Sequence, residues 1–494
     1  MKSLVAAIFF LLTISAQAQT TDWAKVHTMT MSAIDHLYNI RFDEAETTCN
    51  EIIKMAPGDP RGHFFKAMIH YSKYNYSNNK VDYDRFLQVT YNIEKVCERL
   101  LKNNPKDDKA MFYLGGILGY RGLAKFKNEQ LMDAVWDGKK AVGLLEDAYK
   151  ADSTNRDVQF GLGLFNYLIS QAPSFAQPAL KLAGLGGSKS QGLKQMEYAA
   201  KNGIYTQAEA RTWLAGFYAS EDANTRAYSH LNTLVNQYPQ NGWFRVRIGQ
   251  LLLFSMNRAD EAAIHAEKLL ISVETAPKEF RPIFKNVANL GLGLRSVFKN
   301  NFTDAIPYFQ KIVVDNSQQN FVHEANLQLG LIHEISGNRS TAVEYYKKAN
   351  SSREDVKKLL QKPMSAAEIT IVKIESFVRG GYYAQAIAGA NEALKTVLNE
   401  DSKARLEYIA ARAYFEQGNY GEAEQRFLRA VSFKPQEHIW ITPFSYYRMG
   451  LAQVKAGKKA EAKQNFEKAL TFKDFEQEEY LRNEINSELK RIKL

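Results

Sequence analysis

The sequence predicts an all-α solenoid of antiparallel helix hairpins, about eleven of them, irregular in the N-terminal half. Three observations carry this prediction. Apolar and small residues return every three or four positions along nearly the whole chain, the period of a helix face and not of a strand. Glycine or proline interrupts that period at short intervals, as helix ends require. One order of residue types, small and then aromatic across a tight turn, recurs many times. The composition of the 494 residues, 45% hydrophobic and 24% charged, is that of an ordinary folded chain.

The elements follow in chain order. Residues 1–18 have Lys2, an apolar run from Leu4 to Ile14 and a small-residue site at Ala16-Gln17-Ala18, the layout of a secretory signal peptide cleaved after Ala18. The run is short of the roughly 20 apolar residues a permanent span needs, and no later run reaches that length. The first cysteine is Cys49, so no lipid-bearing cysteine follows the cleavage site. An exported protein in a periplasm is expected, without an integral span and with peripheral membrane contact left open. Loss of Lys2 lowers the net charge from +10 to +9, and no block of five or six basic residues marks a nucleic-acid arm.

Residues 19–203 form the irregular part. IRFDEAETTCNEIIKMAP gives Phe42, Ala45, Cys49, Ile52 and Pro57, and looser copies lie around Ile93, Ala141 and Gly192. Cys49 and Cys97 occupy equivalent core positions of neighbouring copies and are expected as two buried thiols, a disulfide being the alternative. An insert covers 172–190. Residues 204–350 hold copies with Ala227, Leu231, Leu234 and Pro239; Ala262 and Leu269; Phe302, Ala305 and Phe309; and Gly330, Gly337, Ala342, Tyr346 and Ala349. Residues 351–474 hold the clearest copies: Gly381, Tyr383, Ala386 and Ala393; Tyr408, Ala411, Gly418, Ala423, Phe427, Ala430 and Pro435; and Gly450, Gly457, Ala462, Phe466 and Ala469. The polar helical segment 475–494 is expected to cap the array.

Each residue type has a physical reason. Glycine takes the left-handed conformation that closes a first helix. Alanine lets two helices approach, and the aromatic fills the space beside it. Proline ends the second helix because it lacks a backbone donor. The order and spacing resemble the tetratricopeptide repeat, a helix–turn–helix unit of about 34 residues. The intervals between key alanines, 35 to 51 residues, depart from that length, so longer loops or helices are expected in many units. GLGLFNYL, an insert and then GLKQMEYAAKNG is similar to the tetratricopeptide-39 group, a resemblance that implies no catalytic activity.

Gly187-Ser188-Lys189-Ser190 is not a phosphate loop. A Walker motif needs G-x-x-x-x-G-K-[ST] between a strand and a helix, whereas Lys189 follows Ser188 and the preceding segment is helical in length. The insert is expected to pack a short helix through Phe175, Leu180, Leu182 and Leu185, with Gly186 and Gly187 turning into the next helix; an exposed docking segment is the alternative. His323-Glu324 and His333-Glu334 each lack the second histidine of a zinc protease, and G-x-S-x-G is absent. Acid pairs such as Asp107-Asp108, Glu221-Asp222 and Glu478-Glu479 sit in polar settings. No catalytic, cofactor or metal residues are assigned.

The function expected is a non-catalytic exported scaffold binding a protein or peptide on the wall of first helices. The tetratricopeptide pattern places Arg405, Tyr408, Arg412 and Phe415, then Phe444, Tyr447, Leu451 and Val454, on that wall. Arginine beside aromatics is the composition of binding hot spots, although Phe415, Leu451 and Val454 read equally as core. The alternatives are a glycan-associated component of an outer-membrane uptake system, with Trp213 and Trp243 stacking on sugars, and an enzyme hidden among the N-terminal hairpins.

Overall fold

Small residues on one helix and bulky ones on the next set the spacing of every layer. In the computed structural model, which describes residues 21–396 and 399–492, helices are the only regular structure among the described residues. The expected signal peptide lies outside them. The helices are α1 (Trp23–Tyr38), α2 (Phe42–Met55), α3 (Pro60–Ser77), α4 (Lys80–Asn103), α5 (Asp108–Lys127), α6 (Leu131–Ala151), α7 (Val158–Ser170), α8 (Gln177–Leu182), α9 (Lys189–Asn202) and α10 (Gln207–Ser220). There follow α11 (Asn224–Gln237), α12 (Gly242–Gln250), α13 (Ala259–Ser272), α14 (Arg281–Phe298), α15 (Phe302–Asp315), α16 (Gln319–Ile335), α17 (Arg339–Lys348) and α18 (Glu354–Gln361). The last are α19 (Ala366–Gly380), α20 (Tyr383–Ala393), α21 (Glu400–Glu416), α22 (Tyr420–Ser432), α23 (Ile441–Lys455), α24 (Lys459–Ala469) and α25 (Glu478–Ile492).

Consecutive helices pair into hairpins, giving an all-α solenoid, with α8 inserted between α7 and α9, α18 between hairpins, and α25 packing on α23 and α24. Two compact units result, and the division between Leu214 and Ala215 falls inside α10.

Ten of the turns share one corner, a left-handed residue two positions before the second helix. Gly337, Gly381, Gly418 and Gly457 take it at φ between 77° and 84°. At the other six turns Ile40, Asn78, Glu129, Asp222, Asn257 and Asn300 adopt it, at a steric cost glycine avoids. The hairpin α7–α9 alone runs through the insert instead.

Across the turn, a ring on the second helix fills a notch in the first. Added Cβ atoms on Gly293, Gly330 and Gly450 would lie 2.7 Å from Phe309, 2.5 Å from Tyr346 and 2.4 Å from Phe466. Ala411 and Phe427, both fully buried, repeat this sixteen-residue spacing. Ala423 and Ala430 flank Phe427 in the same core. In the first unit, Arg121 binds Asp137 through two hydrogen bonds of 3.0 and 2.9 Å and Glu94 at 2.7 Å, tying α4, α5 and α6 together. Cys49 and Cys97 are free and buried. Desolvation pushes both thiols up to about 12, so they stay protonated and inert.

The insert is packed only in part. Leu180 and Ala183 are buried with Val135, and Ile169 and Leu185 pack against them. Phe175 and Leu182, expected inside, are 66% and 75% exposed: Leu180 takes the one inward face of the six-residue α8, and Phe175 lies in the turn before it. Ser188 caps α9, its hydroxyl accepting from the Gln191 N–H, which accounts for the Gly-Ser-Lys-Ser run. Gly187 passes so close to α7 that a Cβ would sit 2.5 Å from the Asn166 carbonyl oxygen.

Gly330→Ala should cost about 1–3 kcal/mol by overpacking against Tyr346, whereas Gly249→Ala, whose Cβ meets nothing within 4 Å, should be neutral or stabilise by up to about 1 kcal/mol. Urea midpoints of the two variants check the sign of each.

Candidate functional site

α21 carries four of the eight sequence-predicted wall residues, and α23 carries the other four. Tyr408, Phe444 and Tyr447 are core residues: Tyr408 lies edge-on to Phe427 and Trp440, at 5.6 and 5.3 Å, and Tyr447 packs on Phe466 at 5.9 Å. They form the floor of the wall. Phe415 is half-buried and edge-on to Tyr420 at 5.5 Å; Leu451 and Val454 are likewise half-buried against the core. Arg405 and Arg412 remain partly accessible and converge on one carboxylate, Glu375 of α19, at 4.0 and 3.3 Å. Both arginines stand two turns apart on one helix face, which the sequence spacing gave; Glu375, 30 residues upstream of Arg405, it did not.

Beside Arg405 lies a cleft of about 680 Å³. Lys362, Glu368, His438, Trp440 and Phe475 line it with Arg405. Sequence reasoning missed these five; His438 and Trp440 come from the long loop between α22 and α23. That extra loop is held by Asp401 in the first turn of α21. Its carboxylate accepts from the backbone N–H groups of Gln436, Glu437 and His438 at 3.2, 2.8 and 2.9 Å. The loop presents His438 to Arg405, whose Nη1 donates to His438 Nε2 at 3.4 Å. Because arginine only donates, Nε2 is the unprotonated nitrogen. Burial, and then the Arg405 charge, lower the His438 pKa, keeping the ring neutral at pH 7. Trp440 is edge-on to Phe444 at 6.0 Å, and Phe444 to Phe475 at 6.4 Å, so the apolar side of the cleft rests on the core. The cleft thus offers charges of both signs and an aromatic side, with no nucleophile beside a base.

The first unit has a second concavity, lined by Phe64, Phe65, Tyr113, Tyr120, Phe165 and Tyr205, with Glu209 at its edge. The Tyr38 hydroxyl donates to Glu209 Oε2, and Trp213 Nε1 donates to Oε1 at 3.0 Å. Here too an aspartate holds the bordering loop: Asp157 Oδ1 accepts from the N–H groups of Ile204, Tyr205 and Thr206 at 2.8, 3.0 and 3.0 Å. In the second unit Trp243 stands edge-on to Phe280 and Phe284, at 5.6 and 5.2 Å. His333 stacks on Tyr345 at 5.4 Å, and Glu334 pairs with Arg339 at 2.6 Å, so this pair serves helix packing. Among the described residues, no group of three or more His, Cys, Asp or Glu is arranged to hold a metal ion, and no helix is long and apolar enough to cross a membrane.

Burial would raise the Asp401 pKa, but the three backbone donors outweigh it and hold the carboxyl below its usual range. Its anchoring is therefore complete at neutral pH and lost as the pH falls through that lowered value. Asp401→Ala should remove it at pH 7 as well. Three amides lose their acceptor, at about 1–3 kcal/mol where a group stays unsatisfied, and hydrogen exchange at Gln436, Glu437 and His438 should quicken by at least about fivefold.

Residues 87–365 match the family profile Iml2/Tetratricopeptide repeat protein 39, and residues 372–438 and 445–474 each match a tetratricopeptide repeat profile. No curated protein matches the chain. Among solved structures, a tetratricopeptide repeat protein from Parabacteroides merdae ATCC 43184 is 14% identical, covering 56% of this chain and 97% of its own, with a TM-score of 0.22. Yeast Tom70 is 11% identical, covering 95% and 96%, with a TM-score of 0.26. The Cut9–Hcn1 hetero-tetramer of the APC/C is 15% identical, covering 90% and 86%, with a TM-score of 0.25. The assignment rests on the first profile, which spans more than half of the sequence: the chain belongs to the Iml2/Tetratricopeptide repeat protein 39 family.

Proposed function

We propose that this protein is an exported, non-catalytic scaffold that binds a peptide segment of a protein partner in the cleft beside Arg405. The observation that carries this reading is the cleft itself, of about 680 Å³, with Arg405, Lys362, Glu368 and His438 set against Trp440 and Phe475. A peptide brings backbone donors and acceptors, side-chain charge and apolar anchors together. The cleft answers all three: Arg405 and Lys362 face acidic groups, Glu368 a basic group or backbone N–H, and Trp440 and Phe475 an apolar anchor. Tetratricopeptide repeats at 372–438 and 445–474 flank it and support a protein partner.

Export rests on the layout of residues 1–18. Mass spectrometry of the protein purified from its native envelope should find Gln19 as the first residue; retention of Met1 to Ala18 would remove this part of the reading.

Affinity capture from that envelope, with the wild-type chain beside Lys362→Glu and Arg405→Glu, tests the binding. A specific partner should be recovered with the wild type and fall by at least about tenfold with either variant, the loss of one desolvated charge contact. Lys362 is exposed, so its variant leaves the fold intact. Equal recovery with all three chains would move the interaction off this cleft.

A further inference from the structure

A third cavity, in the first unit, serves neither the core nor the cleft. It measures about 230 Å³ and lies between α5, α6, α7 and the inserted α8. That exceeds the engineered cavity of about 150 Å³ that stays dry and binds benzene. Three glycines line it: Gly119 and Gly122 lie tight against the Phe165 ring and the Ala134 carbonyl, and Gly138 alone faces open room. A Cβ on Gly138 would meet only Phe165, at 3.8 Å, so the space in front of this buried glycine is empty. Its mouth is marked by Phe126, 42% exposed, which stacks on the exposed Phe175 of the insert at 6.3 Å with an interplanar angle of 7°.

The chemistry of the lining selects the occupant. Apart from Gln171 every lining side chain is apolar or absent. A peptide backbone entering it would bury N–H and C=O groups without partners, at a cost of several kcal/mol by the water-to-hydrocarbon scale; an alkyl chain brings none. The insert side of the mouth also has one sign of charge, whereas the α5–α6 side carries both, with Lys125, Lys127, Glu129 and Asp133. From Gln171 to Gln195 the charged residues are Lys181, Lys189 and Lys194, with no acid among them, and Lys181 follows the cavity-lining Leu180. An anionic head group is complementary to that segment. We propose that this cavity is a binding site for a single-chain fatty acid, its hydrocarbon tail between α5, α6 and α7 and its carboxylate at the mouth beside the lysines of the α8–α9 segment.

Titration calorimetry of the purified full chain with sodium hexanoate, octanoate, decanoate and dodecanoate, each below its micellar concentration, tests this. Affinity should climb by about fourfold for each methylene buried and level off when the cavity is full. Gly138→Leu fills the cavity from a helix position where leucine is the better helix former. It should weaken dodecanoate by at least about tenfold, the loss of two or more buried methylenes, while its melting temperature holds or rises. Gly143→Leu, on the same helix with open space around its Cβ, should bind as the wild type does. Lys181→Glu should weaken dodecanoate and leave dodecanol unchanged. No binding of any fatty acid by the wild type, no dependence on chain length, or equal binding by Gly138→Leu would each overturn the proposal. Binding to phosphatidylglycerol vesicles without binding of monomeric dodecanoate would overturn it too, in favour of a membrane-docking insert. If Gly138→Leu fails to fold, the chain-length series on the wild type still decides.

Discussion

The structure depends on one contact repeated with little change: a bulky side chain on the second helix of a hairpin set into a gap left by a missing or minimal side chain on the first. Phe309 against Gly293, Tyr346 against Gly330, Phe427 against Ala411 and Phe466 against Gly450 all obey it at the same separation in sequence. Dispersion forces fall steeply with distance, so the contact fixes how closely the helices lie as well as which faces meet. Alanines one turn earlier, such as Ala342, Ala423 and Ala462, are fully buried and extend the close approach along the axis.

With hairpin geometry fixed locally, loops and inserts are free to vary, and the candidate sites lie there. The cleft beside Arg405 exists because a longer loop before α23 carries His438 and Trp440 outward. The apolar cavity lies where α8 interrupts the hairpin α7–α9 and packs on α6 through Leu180. Both sites are departures from the repeat, built on elements that conform to it.

The same division explains what could be read from the chain alone. Helical periodicity, Gly418 and Gly457 at their corners and the Ala423–Phe427 pair are local and survive in one dimension. The corners at Ile40 and Glu129 are local as well, yet their residue types do not announce a left-handed backbone, which contributes to the irregular reading of the first part. Composition gave no hint of the division between Leu214 and Ala215, since it falls within a helix and not in a linker. Of the predicted wall, Arg405 and Arg412 were legible from helix phase. The burial of Tyr408 and Phe444 depends on Trp440 and Phe475, and that of Tyr447 on Phe466, all from other elements, and periodicity cannot see that.

The two aspartate anchors bear on how such an array comes apart. A linear stack held only by nearest-neighbour surfaces frays from its ends, one hairpin after another. Asp157 and Asp401 each tie the start of one first helix to the backbone leading into the next, 47 and 35 residues on. At those two junctions adjacent hairpins share a latch, and under force or denaturant they should open jointly, as blocks, where unlatched neighbours peel away singly.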